Sequence, residues 1–352
     1  MSTNIKVPPG TNDRHPSPRV SVVIPTYRRN HFLRNALRSV LAQRFTDFEV
    51  IVSDNAADPD TQRLVAGLSD DRLKYRCNSP TADAFENHLA GWRVARGEYI
   101  AFLHDDDEWD AAFLSTLVDA LDGHPECAMA FSEQLIIGPS GEPLPLETQQ
   151  NKARWNRDKL AEGIHQPFWG LLVHQSIPMV MGSMFRSSAL RPDDVVGEAR
   201  TALDFWMAYV ICRSGAGAYF VRDPLMHYRS HEAQETAHPS NCRMGAVYCW
   251  DHVLKESAVR PYRKIAHTKA AEAHTHVATL LLQQGHAWRA RWHALRAAGH
   301  RITPRRAGLL ILSWLPNSIG CRLVNRLLHS PQHPPSKAPP GAPPILPRGR
   351  AA

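Results

Sequence analysis

The chain has no closely spaced pair of cysteines. Its six cysteines are scattered through 352 residues, and none forms a CxxC pair. Zinc sites and disulfide frameworks need clustered cysteines, so the sequence indicates neither. We therefore expect a protein of a reducing compartment, the cytoplasm. The cysteines are Cys77, Cys127, Cys212, Cys242, Cys249 and Cys321.

The sequence also lacks a long hydrophobic run. Residues 1–20 are polar and contain prolines, which is not the pattern of a secretory signal. The longest strongly apolar stretch near the end, AGLLILSWLP at 307–316, has about half of the roughly 20 residues that a membrane-spanning helix needs. We expect that this chain does not itself cross a bilayer.

Acidic residues are scarce in the last third of the chain. Residues 1–240 hold 24 Lys and Arg against 31 Asp and Glu, a net charge of −7, whereas residues 241–352 hold 17 against 3, a net charge of +14. Such a basic region indicates either an acidic partner, for example an anionic membrane, a phosphorylated lipid or a nucleic acid, or a solvated basic helical face. Charge alone leaves both interpretations open.

From residue 20 the sequence alternates between short apolar runs and amphipathic stretches. The apolar runs predict four strands, each followed by a helical pattern. The order βαβαβαβα predicts an α/β fold with a doubly wound, Rossmann-like, mainly parallel sheet flanked by helices. The four runs are VSVVIP (20–25), FEVIVSD (48–54), RLKYRCN (72–78) and EYIAFLH (98–104).

Changes in composition divide the chain into four segments. We predict a flexible polar leader at 1–17, an α/β domain at 18–240, a basic helical region at 241–330 and a Pro-rich disordered tail at 331–352. Within the α/β domain, residues 138–163 are polar and have no clear period. This segment indicates a loop, either a flexible one over a site or an ordinary surface excursion.

Polar residues follow three of the predicted strands at the point where each strand ends. They are PTY at 25–27, DN at 54–55 and DDD at 105–107. In open α/β sheets, ligands bind at the edge formed by the carboxyl ends of the strands. The three groups are therefore expected to meet in one crevice.

Three consecutive aspartates repel one another unless a cation or water relieves them. A divalent ion such as Mg²⁺ or Mn²⁺ takes one or two carboxylates and completes its shell with phosphate oxygens and water. The DDD run therefore fits a metal site that also holds a nucleoside diphosphate. The alternative is that Asp107 or Asp110 only caps the helix that follows.

Two blocks of the sequence closely resemble the family 2 glycosyltransferases of the GT-A fold. The blocks are VSVVIPTYRRNHFLRNALRSVLAQRFTDFEVIVSDNAADPDT and NHLAGWRVARGEYIAFLHDDDEWD, and the resemblance covers about residues 18–231. It implies that 18–240 is a catalytic domain that moves a sugar from a nucleotide-diphosphate donor with inversion. It further implies a UDP-sugar donor, a glycan or lipid-linked acceptor and a place in bacterial surface polysaccharide or glycolipid synthesis.

The resemblance assigns the nucleotide pocket residue by residue. Pro25, Thr26 and Tyr27 correspond to the turn that contacts the nucleotide. Asp54 corresponds to the acid that hydrogen-bonds the base, and Asn87 corresponds to the asparagine that lines the pocket.

The family's aspartate-x-aspartate signature falls on His104-Asp105-Asp106, so its first position is a histidine here. In this register Asp106 is the metal ligand and Asp105 contacts the ribose or the diphosphate. If the acid triplet itself is the signature, Asp105 and Asp107 take these roles. In both registers the expected cofactor is Mn²⁺ or Mg²⁺.

Inverting transfer needs a general base that takes the proton of the acceptor hydroxyl. The resemblance gives this role to Asp204 in TALDFWMAYV, although Leu203 stands where the family often has a further acid. A plain helix N-cap is the alternative for Asp204. The element YRSH at 228–231 implies that Arg229 neutralises diphosphate charge and that His231 is a further metal ligand.

Two other functions stay open at this point. A nucleotidyltransferase also has a doubly wound sheet with acidic metal sites, but it would show a glycine-rich phosphate loop, and IPTYRRN has no glycine. A non-catalytic relative would bind a polyanion or a lipid through its basic tail, and nucleic acid is the less favoured partner. The segment 302–329 indicates either an interfacial helix on the inner face of the membrane or a hairpin packed on the catalytic domain.

Overall fold

The computed structural model describes residues 17–232 and 244–328. Almost all of the predicted leader and the whole of the predicted Pro-rich tail lie outside these residues. The chain divides into two compact units, the first ending at Ala273 and the second starting at His274. The boundary falls inside one long helix, and each unit is described by itself.

The first unit is built on a nine-stranded sheet. Its spatial order is β3-β2-β1-β4-β8-β6-β9-β5, and β7 pairs with β9. The strands are β1 (Val20–Thr26), β2 (Phe48–Asp54), β3 (Leu73–Cys77), β4 (Tyr99–Phe102), β5 (Glu108–Trp109), β6 (Cys127–Ile137), β7 (Gly163–His165), β8 (Ser183–Arg186) and β9 (Gly217–Arg229).

The first four strands form the parallel half of the sheet. β1 pairs in parallel with β2 and β4, and β2 pairs in parallel with β3. Every residue of β1 and β2 is buried, as expected for strands covered on both faces. The predicted doubly wound α/β fold is confirmed here. The second half is mixed, because β8 lies antiparallel between β4 and β6.

Helices cover both faces of the sheet. In the first helix, Leu33, Ala36, Leu37 and Val40 recur at helical spacing and are buried, which is why this segment packs on the sheet. The helices of the first unit are α1 (Asn30–Leu41), α2 (Pro59–Ala66), α3 (Ala84–Trp92), α4 (Phe113–Gly123), α5 (Pro145–Arg154), α6 (Trp169–His174), α7 (Leu203–Arg213) and α8 (Met244–Val253).

The expectation of a loop over 138–163 is wrong in its middle, where α5 lies. The sequence shows no helical period here, because Thr148 is the only buried residue of α5 and the helix therefore has no apolar stripe. Pro145 at its first turn is the remaining sequence signal. The Thr148 hydroxyl accepts a hydrogen bond from the Ile136 backbone N–H at 2.9 Å, which ties α5 to β6.

The second unit is helical in the part that the structure describes. The long helix α9 (Arg263–Gln283) leads into it, followed by α10 (Ala287–His300), α11 (Pro304–Leu312) and α12 (Asn317–Leu328). Its small core is formed by apolar residues of these helices, among them Leu282, Ala290, Ala294 and Leu309. Within the described residues, no helix combines the length and the apolarity that a membrane span requires.

Candidate active site

A cavity of about 450 Å³ lies at the carboxyl ends of the parallel strands. Its size is within the range of small-molecule sites. Because β2, β1 and β4 are parallel neighbours, the residues that follow them share one edge of the sheet. The lining residues are Pro25, Thr26, Tyr27, Arg29, Asn55, Thr81, Ala82, Ala84, Asn87, His88, His104, Asp105, Asp106, Met181, Tyr228 and Arg229.

The acidic run forms a tight turn at this edge. The Asp107 backbone N–H donates to the His104 carbonyl at 3.2 Å, so Asp105 and Asp106 occupy the two central positions of a β-turn. The next two residues form β5, which pairs with the end of β9. This pairing holds the turn against the last residues of β9.

Asp105 and Asp106 face the cavity and meet the turn after β1. The Thr26 hydroxyl donates to Asp105 Oδ2 at 2.8 Å. The guanidinium of Arg29 donates to Asp106 Oδ2 at 2.9 Å and to Asp105 Oδ1 at 3.5 Å. Asp106 Oδ2 also lies 3.1 Å from Nε2 of His231. Asp105 and Asp106, two of the three predicted acids, therefore lie next to the guanidinium of Arg29, and Asp106 also lies next to the imidazole of His231.

Asp107 lies behind this wall and is buried. Its Oδ1 accepts the backbone N–H of Arg229 at 2.9 Å. Its Oδ2 is buried and has no hydrogen-bond partner. A buried carboxylate oxygen without a donor is costly, which makes this atom a candidate for a cation that the protein itself does not supply.

The charge states of this turn are strongly shifted. Burial and the neighbouring Asp106 raise the pKa of Asp105 to about 7, against the opposing effects of Thr26 and Arg29. Burial and Asp106 likewise raise the pKa of Asp107. Burial and the neighbouring His88 lower the pKa of His104 to about 4. Without a cation, the turn therefore favours protonated carboxyls and a neutral imidazole.

The donor set of the turn fits a divalent cation. One ligand atom each from His104, Asp106 and Asp107 lies within 4.8 Å of the others. Carboxylate oxygens suit Mg²⁺ and Mn²⁺, and the neutral imidazole favours the softer Mn²⁺. From the sequence we assigned no metal role to His104. It was noted only because it replaces the first aspartate of the family's aspartate-x-aspartate signature. His231 touches this set through Asp106.

Arg229 lines the cavity, but its guanidinium is occupied by the protein. Nε donates to the Asp106 carbonyl at 2.8 Å, and Nη1 donates to the carbonyls of Gly138 and Pro139 at 3.0 and 3.1 Å. Nη2 forms an ion pair with Glu108. This geometry is that of an anchor that joins the acidic turn to the end of β6, and it leaves little capacity for a phosphate.

Arg29 is a residue that the sequence reasoning missed. It lies in the cavity wall, and its side chain keeps about a quarter of its surface exposed while it contacts Asp105 and Asp106. The signal was present in the sequence as the second arginine of IPTYRRN, directly after the predicted turn. His88 and Met181 also line the cavity and were not predicted, whereas Asn55 lies there as the convergence of the three strand ends predicted.

Asp54 is not among the residues that line the cavity. It is fully buried, and its carboxylate accepts the backbone N–H groups of Ala56 and Asp58 and the hydroxyl of Tyr75, each at 2.8 Å. This arrangement differs from the expected contact with the base. Asp54 instead shapes the turn that presents the next residue, Asn55, to the cavity.

Asn87 lies in the wall, as expected, but its amide is engaged by the protein. Nδ2 donates to the Ser53 carbonyl at 3.0 Å and to the Thr26 carbonyl at 3.5 Å. Oδ1 accepts the Ser53 hydroxyl at 2.8 Å and Asn78 Nδ2 at 2.9 Å. Asn87 therefore links the ends of β1 and β2 at the base of the cavity.

The structure places Asp204 in the first turn of α7 and outside the cavity wall. Its side chain is accessible to solvent. The surrounding protein nevertheless desolvates the carboxyl and so raises its pKa, whereas hydrogen bonds from the backbone of Phe205 and of Asp204 itself act to lower it. An accessible carboxyl with a raised pKa is chemically suited to accept a proton.

Comparison with known proteins identifies relatives of the first half of the chain. Residues 21–174 match the model of the family described as "Glycosyl transferase family 2". The chain is 40% identical over 104 residues, 29% of its length and 34% of the relative's, to GalNAc(5)-diNAcBac-PP-undecaprenol beta-1,3-glucosyltransferase of Campylobacter jejuni. It is 33% identical over 92 residues, 26% of its length and 36% of the relative's, to UDP-Glc:alpha-D-GlcNAc-diphosphoundecaprenol beta-1,3-glucosyltransferase WfgD of Escherichia coli.

The match spans about a third of the length of these curated relatives. Solved structures extend the fold comparison. S. aureus TarS 1-349 in complex with UDP-GlcNAc aligns with a TM-score of 0.60 at 14% identity, over 84% of this chain and 90% of that one. The mannosyltransferase PcManGT from Pyrobaculum calidifontis, in complex with GDP-Man and Mn²⁺, aligns with a TM-score of 0.52 at 18% identity, over 89% and 86%. At these identities the likeness concerns the fold.

Proposed function

We propose that the chain, whose residues 21–174 match the model of glycosyl transferase family 2, transfers a sugar from a nucleotide-diphosphate donor to an acceptor hydroxyl with inversion at the anomeric carbon. One observation carries this proposal. The cavity at the carboxyl ends of β1, β2 and β4 combines an acidic turn, whose buried oxygen lacks a donor, with the guanidinium of Arg29.

We take the donor to be a UDP-sugar. The half-exposed ring of Tyr27 at the cavity offers an apolar face on which a base can stack. Thr26, next to Tyr27 in the chain, donates to Asp105 of the acidic turn, and we assign the ribose and diphosphate to this pair. Arg29 then supplies positive charge to the phosphates, the role that the sequence gave to Arg229.

His104, Asp106 and Asp107 would hold the cation, Mn²⁺ or Mg²⁺, and His231 would orient Asp106. When bound, such an ion stabilises the negative charge that develops on the departing diphosphate. The protein's own contribution is to fix these ligands. Arg229 anchors the turn through its backbone and side chain, and Thr26 orients Asp105.

Asp204 is the proposed general base. Proton removal from the acceptor hydroxyl requires a carboxylate that is deprotonated and accessible, and a raised pKa strengthens its basicity. The proton passes from the hydroxyl to the Asp204 carboxylate as the new glycosidic bond forms. The nucleoside diphosphate leaves from the opposite face of the sugar, which gives inversion.

For the acceptor, we propose a sugar carried on a lipid diphosphate. The two bacterial relatives described above bear names that specify undecaprenol-linked diphosphate glycans. By analogy, this chain would extend such a glycan during surface polysaccharide or glycolipid synthesis, as a cytoplasmic protein bound peripherally to the inner face of the membrane. The basic segment after residue 240 would provide this contact.

The test is a panel of UDP-, GDP- and dTDP-sugars with Mn²⁺, with Mg²⁺ and with a chelator, in the presence of lipid-diphosphate-linked N-acetylhexosamine. We expect metal-dependent release of nucleoside diphosphate and a product with inverted anomeric configuration. Asp204→Asn should abolish transfer while leaving UDP binding intact, and Asp106→Asn should weaken both. Asp119→Asn, an exposed carboxylate of α4, is the matched control and should behave as wild type.

Two outcomes would overturn the proposal. Turnover of a nucleoside triphosphate with a sugar 1-phosphate, which releases pyrophosphate and forms a nucleotide sugar, would assign the protein to the nucleotidyltransferases. Absence of turnover across the whole donor panel, together with salt-sensitive binding of polyanions, would favour a non-catalytic binding protein.

A further inference from the structure

The second unit is rich in arginine and contains no acidic residue of its own. Residues 274–328 contain eight arginines and no Lys, Asp or Glu. Self-repulsion among these arginines is relieved only by solvent or by an anionic partner. A surface with one sign of charge throughout is therefore complementary to an anionic ligand.

Helix α10 turns large apolar side chains toward solvent. Its buried face consists of small residues and one histidine, including Ala290, His293 and Ala294. Trp288, Trp292 and Leu295 lie on the other side at spacings of four and three residues, and they are 73%, 50% and 51% exposed. We name these three residues the tryptophan stripe. A soluble helix normally shows the reverse pattern.

Arginines flank the tryptophan stripe. Arg289 and Arg296 are exposed next to it on α10, and the Arg296 guanidinium lies 5.6 Å from the ring centre of Trp292. Arg291, one turn from Trp288 and Leu295, lies 3.7 Å from the ring centre of Trp314 at the end of α11. Trp314 is 64% exposed, so it extends the apolar surface beyond α10.

Aliphatic side chains are also exposed in the other segments of the unit. The exposed ones are Ile302, Ile311 and Ile319. Nucleic-acid surfaces are read by basic and aromatic side chains, and exposed isoleucines have no role there. At the boundary between lipid headgroups and acyl chains, isoleucine, leucine and tryptophan are all buried favourably, and arginine pairs with anionic headgroups.

We infer that the tryptophan stripe and its flanking arginines form a docking surface for an anionic lipid bilayer. The rings and aliphatic side chains enter the boundary between headgroups and acyl chains, and the arginines contact lipid phosphates. This inference deepens the peripheral membrane association proposed above and locates it on α10, whereas the sequence pointed to 302–329. It does not require sugar transfer.

The experiment is co-sedimentation of the full chain with vesicles of phosphatidylcholine alone or with about one third phosphatidylglycerol. We expect binding only to the anionic vesicles. Replacing Trp288, Trp292 and Leu295 together by Ser should weaken the partition at least about tenfold, because binding scales with buried apolar area. The double variant R289Q/R296Q should weaken it about twenty-five-fold, since each arginine near the surface contributes about fivefold.

The matched control is Leu146→Ser on α5 of the first unit, where the leucine is 70% exposed. Its binding should equal that of wild type. Quenching of wild-type tryptophan fluorescence by brominated lipids gives a readout that does not depend on the folding of a variant. All of these variants should retain transfer to a water-soluble acceptor, so loss of docking is distinguishable from loss of the proposed activity.

Several results would overturn the inference. The first is that anionic vesicles neither bind the protein nor quench its tryptophan fluorescence. The second is that the Ser variant binds the vesicles as well as wild type does, whether or not the arginine variant loses binding. If the wild-type protein is a dimer that does not bind vesicles, and the Ser variant is a monomer, the tryptophan stripe is instead an interface between two copies of this chain.

Discussion

Replacing Arg229 by Met should destabilise the first unit and weaken the affinity for nucleotide only indirectly, through the acidic turn that Arg229 anchors. The substitution keeps most of the apolar volume and removes every donor of a side chain that is almost fully buried. The carbonyls of Asp106, Gly138 and Pro139 lose their partner, and Glu108 loses its counter-ion.

The magnitude follows from these lost partners. Breaking a buried ion pair by removing one member costs about 3–5 kcal/mol, and each unsatisfied buried carbonyl adds to this unless water reaches it. Because Glu108 is partly exposed, we take about 3 kcal/mol. For a unit of this size, about 2 °C of Tm is lost per kcal/mol, so the Tm should fall by roughly 6 °C.

The assay pairs thermal unfolding with calorimetric titration of UDP in the presence of Mn²⁺. Arg29→Gln should give the opposite pattern, with a Tm within about 2 °C of wild type and a UDP affinity about tenfold weaker, since it removes a charge-assisted contact. Arg34→Met, on the exposed side of α1, is the control for loss of charge. A stable R229M variant that has lost more than tenfold in UDP affinity would refute this reasoning and restore Arg229 as a phosphate ligand.

Three further predictions concern single residues. Asp107→Asn should leave the metal-free protein at least as stable as wild type, because a neutral amide replaces a buried carboxyl whose ionised form is disfavoured, and should abolish the Mn²⁺-induced rise in Tm, which corresponds to about 2.7 kcal/mol at a hundredfold excess over Kd. The rate of transfer should fall as the pH is lowered through the raised pKa of Asp204, so the kcat should begin to fall at a pH above the pKa of about 3.9 of an ordinary aspartate. If the kcat does not fall until the pH is below ~4, this carboxyl is not the base. Gly97→Ala should cost about 3 kcal/mol in urea unfolding, because a Cβ there would lie 2.4 Å from the Ser21 backbone nitrogen; wild-type stability would show that β1 can shift.

The sequence located the edge of the sheet at which the site lies. Continuous apolar runs predicted β1, β2 and β4. The polar residues after them had to converge, because neighbouring parallel strands end at the same edge of the sheet. Thr26 and Asp105, 79 positions apart in the chain, meet for this reason. Periodicity could not foresee α5, whose single buried residue leaves no pattern to detect.

The roles of individual polar residues depended on contacts that no spacing encodes. Asp54 and Arg229 are both polar residues at strand ends, and both were predicted to touch the nucleotide. In the structure the first holds the turn after β2, and the second holds the acidic turn. Arg29, two residues past a predicted contact, faces the cavity instead. Which of several nearby arginines points inward depends on packing against distant segments.

By itself, the sequence determined the order of the four predicted strands and their helices, the edge that gathers the polar residues, and the excess of arginine in the last third, since apolar period and charge are properties of local composition. The tertiary structure decided which oxygen lacks a donor, which guanidinium faces the cavity, and which face of α10 stays exposed. These properties depend on atoms from segments that are distant in the chain, 76 residues apart between Arg29 and Asp105 and 122 residues apart between Asp107 and Arg229. Burial sets the cost of an unpaired charge, and only the folded chain defines what is buried.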